Sequence, residues 1–180
     1  MSYIAFKRFR PSGLESVPAA EAFLRRLEAW LEDAGLHNVG IAMDVQRHGK
    51  DGAQVIGIDL ATGFPGTAAV SIAVCIWPDS EVEYYLTVHD DRDILTSSME
   101  ERMDADRALA ICEAVATGQL TGWQLTLAGR TIGQRAALRY GRSGTWSQAS
   151  GIAGLGLDRI AAALGLARLQ ETAYRAWKAF

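Results

Sequence analysis

Four stretches between residues 39 and 88 alternate large apolar residues with polar or small ones. A period of two sustained over that length points to paired β-strands. In the first pair Val39, Ile41, Met43 and Val45 alternate with Gly40, Ala42, Asp44 and Gln46, and Ile56, Ile58 and Leu60 repeat the pattern. Parity allows a two-residue turn at Gly49-Lys50 or a four-residue turn at 49–52, and glycine at the first central position favours the shorter. In the second pair, Val70, Ile72, Val74 and Ile76 share a face with Val82, Tyr84, Leu86 and Val88 only if the loop is odd in length. Pro78-Asp79-Ser80 supplies such a loop. The opposite face then carries Ala69, Ser71, Ala73, Cys75 and Trp77 against Glu81, Glu83, Tyr85 and Thr87. The first of these strands reads as central and covered on both sides; the second, acidic and aromatic, reads as an edge or a groove.

Other elements flank these hairpins. Residues 3–9 read as a short strand. Ser16 is placed as an N-cap, with Pro18 in the first turn and Gly35 past the end of a helix whose Phe23, Leu24, Leu27, Leu31 and Ala34 recur at helical spacing. Ser98 and Glu101 stand at capping-box spacing for a second helix that Thr117-Gly118 stops, with Met99, Met103, Leu109, Cys112 and Ala116 inward. A third hairpin sets Trp123, Leu125 and Leu127 against Ile132, Ala136, Leu138 and Tyr140 around a tip containing Gly129-Arg130. Residues 141–156, rich in Gly and Ser, read as a flexible loop. Leu166, Leu169, Ala173, Trp177 and Phe180 read as the stripe of a terminal helix, continuous with Ile160 and Leu164 across Gly165. The expectation is an α+β fold, a single domain over 1–180 in which an antiparallel sheet of hairpins packs against three to four helices.

Composition narrows the setting. A chain of 180 residues, 49% hydrophobic, is large enough to bury a core without disulfides. Cys75 and Cys112, the only cysteines, sit in apolar runs and read as buried, inert thiols of a reducing, cytoplasmic compartment. Residues 1–10 carry bases but no following apolar run, so no secretory signal is expected. The uncharged stretch 61–78 is broken by Gly63, Pro65, Gly66 and Pro78 and is not a membrane span.

Charge is lopsided. Residues 79–106 hold Asp79, Glu81, Glu83, Asp90, Asp91, Asp93, Glu100, Glu101, Asp104 and Asp106 against Arg92 and Arg102, a net −8, whereas residues 130–180 are net +6; the whole chain is −3. An acidic segment of this kind either steers a basic partner or is neutralised by its neighbours. The acidic balance, and the absence of an aromatic stacking motif among the bases, argue against nucleic acid.

Catalytic patterns are sparse. His89-Asp90-Asp91-Arg92-Asp93 is the one dense run of metal-type ligands, and a polar connector explains it equally well. No G-x-S-x-G elbow is present. His48 and Asp51 flank a hairpin tip, where chance brings them together as easily as need. Gly151, Gly154 and Gly156 precede a helix, but Arg159 stands where a dinucleotide fingerprint has its third glycine. No metal and no cofactor are expected.

In element order alone the chain resembles the type III secretion chaperones, which also place helices before, within and after antiparallel strands. This sequence has an additional strand pair and no matching motif. The resemblance implies a fold that binds secreted effectors. The functional expectation is an intracellular protein-binding module, an immunity-type inhibitor or chaperone that masks a bacterial toxin or effector. Its partner surface would be built from Trp77, Asp79, Glu81, Glu83, Tyr85, Asp90 and Asp91, aromatics ringed by acids that suit a basic protein. Homodimerisation is the other association considered; nucleic acid and membrane are not expected partners. The alternative is a small enzyme with a carboxylate/His site around residues 89–93.

Overall fold

The computed structural model describes residues 18–36, 39–47, 52–62, 65–79, 81–89, 96–151, 153 and 155–177. The strand expected at 3–9, the cap at Ser16 and Phe180 lie outside them. Helix α1 spans Pro18–Asp33 and buries Ala20, Phe23, Leu24, Leu27 and Leu31, the stripe its spacing implies. It ends where Gly35, at φ +64, lets Leu36 N–H reach the Leu31 carbonyl (3.0 Å) and its own N–H reach that of Glu32 (2.9 Å). This double bond satisfies carbonyls the helix leaves open.

Strands β1 (Gly40–Arg47), β2 (Gln54–Ala61), β3 (Ala69–Ile76), β4 (Val82–His89) and β5 (Thr96–Met103) form one antiparallel sheet in chain order. Arg47 pairs with Gln54, the register of the four-residue loop at 49–52 and not of the Gly49-Lys50 turn. Gly52, at the loop's end, has a left-handed backbone (φ +69). The β3–β4 register, Ile76 opposite Val82, is the one that Pro78-Asp79-Ser80 requires. Val70, Ile72, Val74, Ile76, Tyr84, Leu86 and Val88 accordingly share one buried face.

Residues 96–103 depart from the expectation. They are a strand on β4, with a bulge between Tyr84 and Leu86, and β4 is interior to the sheet. Helix α2, Ala105–Ala116, is capped by Asp104, whose side chain accepts from Arg107 N–H at 2.8 Å. A cap so close to the helical run prevails over Ser98, because the residues before it gain a ladder of backbone bonds by adding to β4.

The second antiparallel sheet has the order β8-β7-β6-β9. Strands β6 (Leu120–Leu127) and β7 (Arg130–Tyr140) are joined by Ala128-Gly129, both at positive φ (+48 and +77). The tip therefore sits one residue earlier than Gly129-Arg130, in the primed geometry that matches strand twist. Much of the stretch read as a loop, 144–151, is strand β8, paired with β7 from Gly144 opposite Tyr140 to Gly151 opposite Gly133. Backbone pairing needs no apolar side chains, which is why composition hid it. The expected terminal helix is also replaced. Helix α3 covers only Asp158–Ala163, and Arg168–Ala173 form β9 on the edge of β6. Mixed α+β is the class observed, with three helices and two antiparallel sheets among the described residues.

Helix α2 bridges the sheets, touching β3 and β4 on one side and β7 on the other. Ile111, Cys112 and Val115 join Phe23, Leu27, Ile72, Leu86, Leu120 and Leu138 in one buried cluster. Residues 174–177 complete the seam. Tyr174 N–H bonds the Leu120 carbonyl (3.2 Å), Arg175 N–H that of Gly66 (2.8 Å) and Trp177 N–H that of Ala116 (2.8 Å). The Trp177 indole N–H donates to the Ala68 carbonyl at 2.8 Å. Trp177 thus packs within its own chain, from an extended tail and not from a helix.

Candidate functional site

Helices α1 and α2 cover one face of the five-stranded sheet; Phe23 packs against Tyr84 with the rings tilted and their centroids 4.6 Å apart. Among the described residues no helix covers the other face. Along β3 it presents Ala69, Ser71, Ala73, Cys75 and Trp77, all half-buried, between Asp59 and Gly57 of β2 and His89, Thr87, Tyr85 and Glu83 of β4. Antiparallel sheets tolerate such a face because alternate side chains point away from the core. The small residues at its centre come from β3, so polar groups gather at either end.

One end is built around Glu83. The Tyr85 hydroxyl donates to its carboxylate at 2.6 Å, and Arg102 of β5 reaches Glu83 at 3.1 Å while also bonding Glu81. Glu83 is only 8% exposed. The cover over it is thin, so burial matters less than hydrogen bonding. Its acidity is held below the ordinary carboxylate range first by the Tyr85 hydroxyl, then by the Trp77 indole N–H and the Arg102 charge, against burial and Asp79. Trp77 makes no hydrogen bond of normal geometry through that buried nitrogen. It is near enough to favour the carboxylate's charge without being satisfied by it. Tyr85 is the mirror of this arrangement, pushed up to about 12 by its bond to Glu83, then by burial and the same charge. Asp79, exposed in the turn, accepts from Glu81 N–H at 3.1 Å and fixes the loop.

Cys75 stands across the ladder from Glu83 and is half-buried, not shielded as its apolar run implies. Burial, then the Glu83 charge, raises its thiol above the ordinary value. This holds it in the protonated form, which is a poor nucleophile. Cys112, on α2, is fully buried and pushed up to about 12 by desolvation.

At the other end Ser71 lies between Asp59, to which it donates, and His89 Nε2 at 3.0 Å. A carboxylate only accepts, and a hydroxyl has one proton. Ser71 therefore accepts from the imidazole N–H. In a nucleophilic triad the histidine occupies the middle and takes the serine's proton; here the serine occupies the middle. The trio is a polar clasp across β2, β3 and β4, and the imidazole is not a base for Ser71.

Of the residues proposed from sequence, Trp77, Asp79, Glu81, Glu83 and Tyr85 are brought together on one patch. Asp90 and Asp91 lie outside the described residues, as do Asp93, His48 and Asp51. Arg102 was hidden by its placement on a helix. The Asp59–Ser71–His89 trio was hidden because Gly63, Pro65 and Gly66 mark a turn between β2 and β3 without fixing its length, and so leave the register of the pair open. Among the described residues no group of three or more His, Cys, Asp or Glu side chains is placed to hold a metal ion, and no helix is long and apolar enough to cross a membrane. No family model, curated protein or solved structure matches the chain.

Proposed function

We propose that the chain is a protein-binding module. Its open sheet face, centred on Trp77, Tyr85, Glu81 and Glu83, would dock a partner with a basic surface, as an immunity-type inhibitor or chaperone masks a bacterial toxin or effector. The observation that carries this reading is the state of Trp77. It is a half-buried aromatic whose indole donor lies near Glu83 but makes no hydrogen bond of normal geometry, on a face where the neighbouring acids are already oriented by Tyr85 and Arg102. A buried donor without an acceptor costs about 1–3 kcal/mol, and such groups call for an explanation. A partner acceptor that draws the ring into a bond would remove that cost, and interfaces concentrate their energy in aromatic anchors of this type.

The immobilised chain, offered lysate of its native host, is expected to retain a protein that a Trp77→Ala bait releases and a Leu27→Ala bait that still folds keeps. Retention by the Trp77→Ala bait equal to that by the wild type would sink the reading.

A further inference from the structure

The second sheet carries a surface of the opposite character. Among the described residues, the large hydrophobic side chains that stand exposed are Leu127, Leu155, Leu157, Ile160, Leu164, Leu166 and Leu169, with Leu155 at 73% and Leu164 at 66%. They fall in two stretches that the fold brings together. Thr126 pairs with Arg168 and Leu125 with Leu169, so 164–169 run beside the Ala128-Gly129 tip. Gly151 stands opposite Gly133, at the level of Leu125, so 153–157 leave the sheet at the same end. Helix α3 is pinned over β7 by Asp158, which is buried and lies 3.4 Å from Arg135. Gly165, at φ +68, then turns the chain into β9.

The charges on this surface are one-sided. Arg130, Arg159 and Arg168 are exposed, while Asp158, the only acid within 127–131 and 151–170, is paired and buried; the exposed Glu171 stands further along β9, opposite Trp123 and away from the tip. Exposed aliphatic clusters mark interaction sites. Two occupants fit poorly. A second copy meeting this surface across a two-fold axis would set arginine against arginine, and a protein interface would ordinarily hold an aromatic anchor, whereas all seven exposed hydrophobics are aliphatic. Leucines flanked by arginines, with no exposed carboxylate between them, match an interface of apolar chains beneath anionic headgroups.

We propose that this end of the second sheet docks on an anionic lipid surface, with the leucines entering the acyl boundary and Arg130, Arg159 and Arg168 meeting headgroup phosphates. The contact is peripheral, and it lies on a different sheet from the proposed protein-docking face, so neither rests on the other.

The test is flotation of the full chain with vesicles of phosphatidylcholine alone or mixed with phosphatidylglycerol. Binding is expected to the mixed vesicles and to weaken with added salt. The double variant Leu164→Ser, Leu166→Ser should abolish it without changing the melting curve, since both side chains are exposed. Arg159→Gln with Arg168→Gln should weaken it roughly thirtyfold, given the attraction each arginine near an anionic surface supplies. Absence of binding, or equal binding to neutral vesicles, overturns the proposal. So does self-association in solution, without vesicles, that the leucine variant abolishes, because a second copy would then be the occupant.

Discussion

Glu83 and Tyr85 form a pair whose acidities move apart, and each movement has a consequence for stability. The folded Glu83 is more acidic than the unfolded one, so its contribution is present above the ordinary glutamate range, about 4.3, and is lost as pH falls through the lowered folded value. Tyr85 is displaced upward. Its contribution is present below about 10, where an unfolded tyrosine ionises, and disappears as pH rises towards about 12. Alkaline titration of tyrosinate absorbance should therefore show late ionisation at Tyr84, which burial displaces upward, and at a second ring, Tyr85. Glu83→Gln should bring that ring back towards about 10, and an unchanged titration would mean the hydrogen bond is absent in solution. The same residue revises what surface charge means here. Glu83 looks in sequence like an exposed acid, but it is buried and reversing it to Lys would break the bonds from Tyr85 and Arg102; Asp79 and Glu81 are exposed and better suited to charge reversal, at the cost of the Glu81–Arg102 surface pair.

The elements divide by how local their signals are. The α1 stripe, the β3–β4 loop of Pro78-Asp79-Ser80 and the β6–β7 hairpin were legible because spacing and turn chemistry sit within a few residues of one another. The edge strands β5, β8 and β9 were not. Met99 and Met103 have helical spacing, 141–156 has loop composition, and Leu166, Leu169 and Ala173 mimic a helical stripe. In all three cases the deciding factor is a partner strand with unpaired backbone groups, distant in sequence for β9. The helix stops offer a matched test of local against tertiary constraint. Gly35 and Gly118 both adopt positive φ, but a Cβ on Gly35 meets open space, while one on Gly118 would lie 2.9 Å from Ala176 N and 3.0 Å from the Tyr174 carbonyl. Gly35→Ala should cost about 1 kcal/mol, the backbone penalty alone. Gly118→Ala should cost clearly more, because the tail must also shift. Equal costs in denaturant unfolding would show that the tail does not pack against the α2 stop.

At the scale of the whole molecule, the 174–177 segment joins the sheets through Trp177 and three backbone bonds. Trp177→Ala should cost about 3–5 kcal/mol, the range for deleting a buried aromatic side chain, and a cost below about 0.5 kcal/mol would mean this seam is not formed. With α1 and α2 committed to one face of the first sheet, no described helix covers the opposite face, and that face is the basis of the proposed function. The measurement that tests it most directly is the association rate with the captured partner as a function of ionic strength, for the wild type and for Asp79→Lys with Glu81→Lys. Exposed charges are screened beyond about 10 Å at 0.1 M salt, so the wild-type rate should fall steeply as salt rises. The double variant, checked by its melting curve because it loses the Asp79 turn bond and the Glu81–Arg102 pair, should start slow and lose most of that dependence. A rate indifferent to salt, and the same in both proteins, would contradict docking of a basic partner on the open sheet face.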